Sequence, residues 1–344
     1  MARTRAQRQL YAELLERYGR LVADAFMKAV DDLKRGAELQ RVIAYIEARD
    51  IEAALDALHI DPEAFNEVAD RIREAHAEAG KITAAAMPRR RPDGTALVIR
   101  FDGRHPEAEA WLSRQSSDLI TRITTEQRDL VRTSLTESLS RGVNPRQAAL
   151  DVVGRVNRAT GRREGGVLGL SGPQEQYVRN ARDQLASSDP ADLRAYLTRA
   201  RRDRRFDRSV TKAIREGRPV DPEIAAKAIT AYERRLLKLR GDLIGLNETF
   251  SALEAAKLQT YEQAIASGKL QEGTVTKVWR HLGALHPRVQ HLAMNGRSVG
   301  LREDFVMPDG TRMRHAHDPE APIRHNAGCH CQTDYRVDWF AGLR

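Results

Sequence analysis

Two cysteines, Cys329 and Cys331, are the only thiols in the chain, and both lie in the segment HNAGCHCQTDY. Seven of the ten histidines lie between residues 281 and 330. Thiolate sulfur and imidazole nitrogen are the donors that Zn²⁺ binds in tetrahedral protein sites. The sequence therefore suggests a zinc site formed by the two cysteines and two of four nearby histidines: His286, His291, His315 and His317. His286 and His291 have the spacing nearest to that of a known ligand pair.

Two other uses of these residues stay open. The C-x-C spacing is tighter than the usual zinc knuckle, and two small buried thiols at a strand end, with histidines on a polar surface, would give the same sequence. A nuclease or RNase-type toxin could use His286 and His291 as acid and base, with an arginine holding the phosphate. A disulfide is disfavoured, because cysteines one residue apart would close a small strained ring.

The composition predicts a mainly α protein that carries its charges on the outer faces of its helices. Charged residues make up 31% of the chain, aromatic residues only 5%, and Ala, Leu, Arg and Glu are abundant. No apolar run approaches the ~20 residues that span a bilayer, so no membrane contact is expected. The formal net charge of +9 favours a polyanionic partner, although a solvated basic surface would have the same composition.

Helix signals divide the chain into an elongated helical body and a small C-terminal module. We predict an N-terminal helical domain at 1–86, a linker or hinge at 87–105 and a basic helical domain at 106–272. The linker is indicated by three prolines and two glycines within residues 87–106, around one possible short strand at 96–101. The last segment, 273–344, is predicted to be an α+β module, because TVTKVW and TDYRVDW alternate as strands do and MPDG reads as a hairpin turn.

An arginine-rich stretch lies inside the basic domain and is the best candidate for contact with nucleic acid. Three acids accompany it, too few to neutralise it. An exposed basic helix paired with acids elsewhere is the alternative. The predicted contacts are Arg199, Arg201, Arg202, Arg204, Arg205, Arg208, Lys212 and Arg215.

The order of motifs in the C-terminal module resembles a known family. Trp279, then HPRVQHLAMNG, DFVMPDG, HDPEAP and the Cys-His-Cys tail resemble the phage Mu F-like head morphogenesis proteins of tailed phages, prophages and gene transfer agents. The chain differs from the Asn-Cys-Arg-Cys tail of that family in having Gly328 and His330. The residues that match the family's marked positions are Trp279, His291, Gly296, Phe305, Asp318, Pro319, Cys329 and Cys331.

The resemblance implies a structural role rather than catalysis. It implies a minor head (minor capsid) protein that binds the portal protein during head assembly and lies in the virion, inside the capsid near the portal. The expected partners are therefore the portal protein, the interior of the major capsid protein or scaffold, and double-stranded DNA bound without sequence preference. The Cys-His-Cys tail is then expected to fix the last strand of the module, with zinc as the candidate cofactor.

Overall fold

The chain is mainly α-helical with a small α+β module at its C-terminal end, which confirms the predicted fold class. The structure, a computed structural model, describes residues 2–283 and 287–341. Three long helices dominate: α1 (Ala2–Gly36), α5 (Pro106–Ser140) and α10 (Pro222–Ala266). The other helices are α2 (Leu39–Glu47), α3 (Ile51–Asp56), α4 (Asn66–Ala86), α6 (Pro145–Val153), α7 (Gly172–Ala186), α8 (Pro190–Leu197), α9 (Asp207–Glu216), α11 (Val289–Met294) and α12 (Ile323–Asn326). No helix in the described part is long and apolar enough to cross a membrane.

Asp-Pro pairs begin two of these helices. The side chain of Asp189 accepts a hydrogen bond from the Ala191 backbone N–H at the start of α8. Asp221 accepts one from the Glu223 N–H at the start of α10. Each carboxylate occupies an N–H group that the helix itself leaves unpaired, while proline follows where no donor is needed.

The chain forms two compact units, each assembled from separate segments. The first unit comprises Met1–Ala25, Glu67–Asp118 and Asp242–Arg344, and the second comprises Phe26–Asn66 and Leu119–Gly241. Helices α1, α5 and α10 each contribute residues to both units. This division differs from the predicted one, which places boundaries at residues 86, 105 and 272. The prediction treats each domain as one continuous stretch of sequence, whereas each unit combines stretches that are separate in the sequence.

In the first unit, the predicted linker is a packed segment. Met87 and Leu97 lie in the same apolar core as Leu258 and Tyr261 of α10. The backbone N–H of Asp102 donates to the Gln263 side chain at 2.9 Å. The strand expected at 96–101 is reduced to a single bridge between Arg90 and Ala96, next to which the Leu97 N–H donates to the Arg89 carbonyl at 2.8 Å.

The C-terminal module is built on a three-stranded antiparallel sheet. Strand β3 (Val275–Arg280) lies between β4 (Ser298–Gly300) and β7 (Gln332–Val337). The register pairs Arg280 with Gln332, so the end of β3 meets the start of β7 directly after the cysteines. A hairpin of β5 (Phe305–Val306) and β6 (Arg312–Met313) lies at the predicted turn. The strand and turn predictions of this module are confirmed.

The second unit contains one hairpin among its helices. Strands β1 (Arg155–Val156) and β2 (Arg163–Glu164) pair within the segment rich in glycine and arginine that follows α6. The apolar residues on either side of it, Val152, Val153, Val167 and Leu168, are buried. The hairpin thus projects from a packed base.

Candidate metal centre

A turn at Gly328 brings the two cysteines together at the edge of the sheet. Gly328 has φ +64°, a backbone conformation that residues with a side chain adopt at a cost. The Cys329 N–H donates to the Asn326 carbonyl at 3.0 Å, and the Cys331 N–H donates to the Cys329 sulfur at 3.3 Å. No disulfide links the cysteines, and both are buried. The turn therefore presents two free thiols to the interior of the module.

His291 of α11 completes a three-donor cluster with these thiols. Its Nδ1 lies 3.2 Å from the Cys329 sulfur and 3.4 Å from the Cys331 sulfur. In a tetrahedral site with Zn–S near 2.3 Å and Zn–N near 2.05 Å, nitrogen and sulfur are separated by about 3.6 Å. The three donors of Cys329, Cys331 and His291 all lie within 4.8 Å of one another, and all are buried. This group can hold a metal ion.

Two further histidines are candidates for a fourth donor. His317 is 1% exposed, and neither of its ring nitrogens has a hydrogen-bond partner of normal geometry among the described residues. Its ring stacks on Phe250 at 4.0 Å and lies beside the Cys329 thiol, where it contributes to lowering that thiol's pKa. His281 places its Nδ1 3.6 Å from the Cys331 sulfur but is only half-buried. Because buried polar atoms are rarely left unpaired, His317 is the better candidate.

The electrostatics of the thiol pair also suit a cation. The hydrogen bond from the Cys331 thiol lowers the pKa of Cys329, and the same bond raises the pKa of Cys331. Two neighbouring thiols therefore release one proton readily and retain the second, because two buried thiolates would repel each other. A divalent cation between them removes that repulsion, and both can then bind as thiolates.

A chain of hydrogen bonds extends from the far side of His291. Its Nε2 lies 3.2 Å from Nδ1 of His325, and the two rings are nearly parallel. His325 in turn places Nε2 3.0 Å from the Asp309 carboxylate. The backbone N–H of Thr311 is the largest of the influences that hold the pKa of Asp309 below its usual range. Asp309 thus orients His325, which orients His291 with Nδ1 toward the sulfurs, as outer residues do in metal sites.

The remaining motif residues support this centre. Trp279 is fully buried. Its ring makes T-shaped contacts with the rings of His291 and Phe305, at centroid distances of 5.5 and 5.3 Å. Gly296 has φ +84°, and its N–H donates to the Trp279 carbonyl. Trp279, Phe305, Cys329 and Cys331 belong to one apolar cluster with three methionines and two alanines.

Asp318 and Pro319 lie in the loop before α12. Burial raises the pKa of the Asp318 carboxyl, but hydrogen bonds from Arg314 outweigh it and the pKa falls to about 2. The Asp318 carbonyl accepts a hydrogen bond from Asn326 at 2.6 Å, which ties the loop to the residues before the cysteines. Pro319 is half-buried.

Of the predicted ligands, the structure brings together His291, Cys329 and Cys331, whereas His286 lies outside the described residues. His315 is buried, but its Nδ1 donates to the Ala316 carbonyl at 2.8 Å, and it is not part of the cluster. Sequence reasoning did not find the roles of His325 and Asp309. The position of His325, four residues before Cys329, was the available signal. No neighbouring feature of the sequence connects Asp309 to His325 or to Cys329.

The arginine-rich stretch is not one continuous helix. It runs through the turn after α8, a 3-10 turn at Arg204–Phe206 and then α9. The carboxylate of Asp207 pairs with Arg202, and the buried carboxylate of Asp203 pairs with Arg205. Arg199 bonds Gln184 and lies over the Tyr232 ring, and Lys212 lies 3.8 Å from Glu216. Arg201, Arg204, Arg208 and Arg215 are exposed, with no carboxylate in ion-pair distance in the described part of the chain.

Comparison with known proteins gives no relative: no protein-family model, curated protein or solved structure matches this chain.

Proposed function

We propose that this chain is a non-enzymatic head morphogenesis protein of a tailed phage or related particle, with a C-terminal module held together by a structural zinc ion. The observation that carries the proposal is the buried donor set of His291, Cys329 and Cys331, to which we assign His317 as the fourth ligand. His291, His317, Cys329 and Cys331 are at most 4% exposed. Structural zinc sites have four protein ligands and no open position, whereas catalytic sites keep one position for water or substrate.

The same burial argues against the nuclease alternative. Nδ1 of His291 faces the two thiols and its Nε2 faces His325, so neither nitrogen is available to a substrate. A cavity of about 480 Å³ in the first unit is lined by His330, Phe250 and Leu282, among others, but by neither cysteine. A general acid or base must lie within hydrogen-bond reach of its substrate. The ring nitrogens of His291 do not meet this requirement, because both face other residues of the site.

Zinc suits this donor set better than other common metals. Two thiolates with imidazole nitrogens are typical of tetrahedral Zn²⁺ sites, whereas Mg²⁺ and Ca²⁺ prefer oxygen ligands. The ion would join α11, the loop before α12 and the start of β7. Such a link matters in a small module, because small cores supply little stability by themselves.

The head role is supported by the placement of the residues that carry the resemblance to Mu F-like proteins. Trp279, His291, Phe305, Cys329 and Cys331 are distant in sequence, yet they surround one site. The basic residues of the second unit suit the expected contact with packaged duplex DNA. The portal protein and the capsid or scaffold interior remain the proposed protein partners, and the virion interior remains the proposed location.

Metal analysis of the purified protein tests the zinc centre. We expect about one zinc per chain, lost in Cys329→Ser and Cys331→Ser and reduced in His317→Ala. His330→Ala is the matched control, because this exposed residue lies between the cysteines and outside the donor set. A wild-type chain that retains no zinc, and whose cobalt complex lacks the absorption of thiolate ligation, would exclude the centre.

Quantitative mass spectrometry of DNA-filled particles tests the head role. We expect the chain at low copy relative to the major capsid protein and in company with the portal protein. Its absence from particles, combined with its presence in the lysate, would refute this role whatever the metal content.

A further inference from the structure

A cleft of about 680 Å³ in the second unit is lined by more cations than carboxylates. Its walls come from hairpin β1–β2, from the 3-10 turn before α9 and from the first turns of α10. Four cations line it, and the two carboxylates are Glu164 and Glu223. The four cations are Arg155, Arg205, Lys227 and Arg234.

Most of this positive charge is not used in strong ion pairs. Lys227 and Arg234 are exposed, and neither has a carboxylate in ion-pair distance among the residues that the structure describes. Arg155 pairs with Asp151, four residues earlier, at 3.5 Å. Arg205 pairs with Asp203, yet its side chain is 75% exposed. Exposed pairs of this kind contribute little energy, so these cations can accept another anion.

Hairpin β1–β2, which forms one wall of the cleft, is fixed at its base by two glycines. Gly154 and Gly166 have φ +82° and +81° where the two chain segments cross. A Cβ on Gly154 would lie 2.6 Å from a backbone oxygen of β2, and one on Gly166 would lie 2.5 Å from the Val152 oxygen. Only glycine allows this crossing, which holds the base of the hairpin at a fixed position.

Buried charges hold the same base. Lys34 donates from Nζ to the Gly165 carbonyl at 2.7 Å, and the buried Glu233 carboxylate accepts from the Gly166 N–H at 3.0 Å. Arg182 pairs with Glu233 at 2.8 Å. Burying charged groups is costly unless they are paired, and the result here is a rigid support for an arginine-bearing hairpin.

We propose that this cleft binds the phosphodiester backbone of nucleic acid. Phosphate oxygens accept hydrogen bonds from guanidinium and ammonium groups, and contacts of this type bind without reading sequence. Four cations along the groove suit consecutive phosphates. The neutral polar side chains of Asn157 and Thr230 also line it. Of the arginine-rich stretch, only Arg205 reaches this cleft. The inference rests on the DNA contact of the proposed function and names the site of that contact. It does not depend on the metal centre or on the portal protein.

Fluorescence anisotropy with a labelled DNA duplex of about 20 base pairs, measured at several salt concentrations, tests the cleft. The test variant is Lys227→Glu with Arg234→Glu. The control is Arg141→Glu with Arg146→Glu, which changes the same amount of charge on exposed arginines of the same unit that lie outside both the cleft and the arginine-rich stretch and have no carboxylate in ion-pair distance among the described residues. We expect the cleft variant to bind at least ~10-fold more weakly and to reduce the slope of log K against log salt by about 2, with little change in the control.

If the two variants bind the duplex equally weakly, the proposal for the cleft is refuted, because net charge alone would then set the affinity. No duplex binding by the wild-type chain at low salt would also overturn it. Displacement of the duplex by an equimolar amount of ATP would assign the cleft to a free nucleotide instead of a polymer backbone. If the Glu variant does not fold by circular dichroism, Lys227→Gln with Arg234→Gln replaces it. The particle analysis measures the head role separately, since it requires no DNA affinity.

Discussion

Replacing His76 with phenylalanine should remove a large part of the acid sensitivity of the first unit. His76 is fully buried in α4, and its ring lies 5.4 Å from Trp111 and 5.5 Å from Phe101. Nε2 meets the Gln259 side-chain oxygen at 2.8 Å, whereas Nδ1 has no partner among the described residues. Burial lowers the pKa of His76 from 6.5 to about 4, against a smaller opposing effect of Gln259.

The direction of the pH effect follows from the two proton affinities. The unfolded chain protonates His76 near pH 6.5, but the folded chain resists protonation until about pH 4. The unfolded state therefore binds more protons in this interval, and stability falls as the pH is lowered. Integrating between these pKa values gives a loss of about 2.5 kcal/mol at pH 4.5 relative to pH 7.5, from this one side chain.

Urea unfolding followed by tryptophan fluorescence is the appropriate assay. All three tryptophans, Trp111, Trp279 and Trp339, belong to the first unit, so their emission reports that unit. The free energy of unfolding is measured at pH 7.5 and 4.5 for the wild type and for His76→Phe. The difference between the two pH values should be smaller in the variant by about 2.5 kcal/mol.

The comparison of pH differences isolates the titration from other effects of the substitution. Phenylalanine leaves the Gln259 oxygen unpaired, which lowers stability at both pH values alike and so cancels. His59→Phe, at an exposed histidine of the second unit, is the control and should leave the pH difference unchanged. If His76→Phe retains the full pH difference of the wild type, the burial argument is refuted.

Three further perturbations follow from the first unit. Glu254→Gln breaks the buried ion pair with Lys257, whose Nζ lies 2.5 Å from the carboxylate. It should lower the free energy of unfolding in urea by about 3–5 kcal/mol. A decrease of less than about 1 kcal/mol would contradict this expectation. Gly245→Ala would overlap a backbone oxygen of α1 and should destabilise the unit by about 1–3 kcal/mol, whereas Gly273→Ala, with open space around it, should change stability little. Asp309→Asn should weaken metal affinity by about 10–100-fold in a chelator competition, and unchanged affinity would remove its orienting role.

Local signals predicted the elements of the fold well. Helix α5 follows local signals at both ends, because Pro106 opens it and Gly142 and Pro145 follow its end. Proline at the first turn and glycine beyond the last act on the backbone of their own neighbours, whatever the rest of the chain does. The strands of the C-terminal module were found for the same reason, since their alternation reflects one buried and one exposed face.

Features that depend on distant residues were not predicted. The segment at 87–105 has the composition of a linker, yet it packs because Leu97 meets a core supplied by α10, far along the chain. The arginine-rich stretch has the charge of a basic helix, but Asp203 caps a 3-10 turn within it and bends the path. In the metal centre the donor types were identifiable from the sequence, whereas the choice between His315 and His317 depends on a loop that the Arg314–Asp318 pair fixes.

The division of the first unit among three chain segments constrains the order in which the protein can fold on the ribosome. Residues 1–25 are synthesised before the other segments of their unit, the last of which begins at Asp242. Residues 26–241 contain every segment of the second unit, so that unit can form while the remainder is still being made. The start of α1 and the segment Glu67–Asp118 therefore lack the third segment of their unit until the whole intervening chain has been made. Truncation before Asp242 should consequently leave a folded second unit together with two incomplete segments of the first unit that are prone to aggregate.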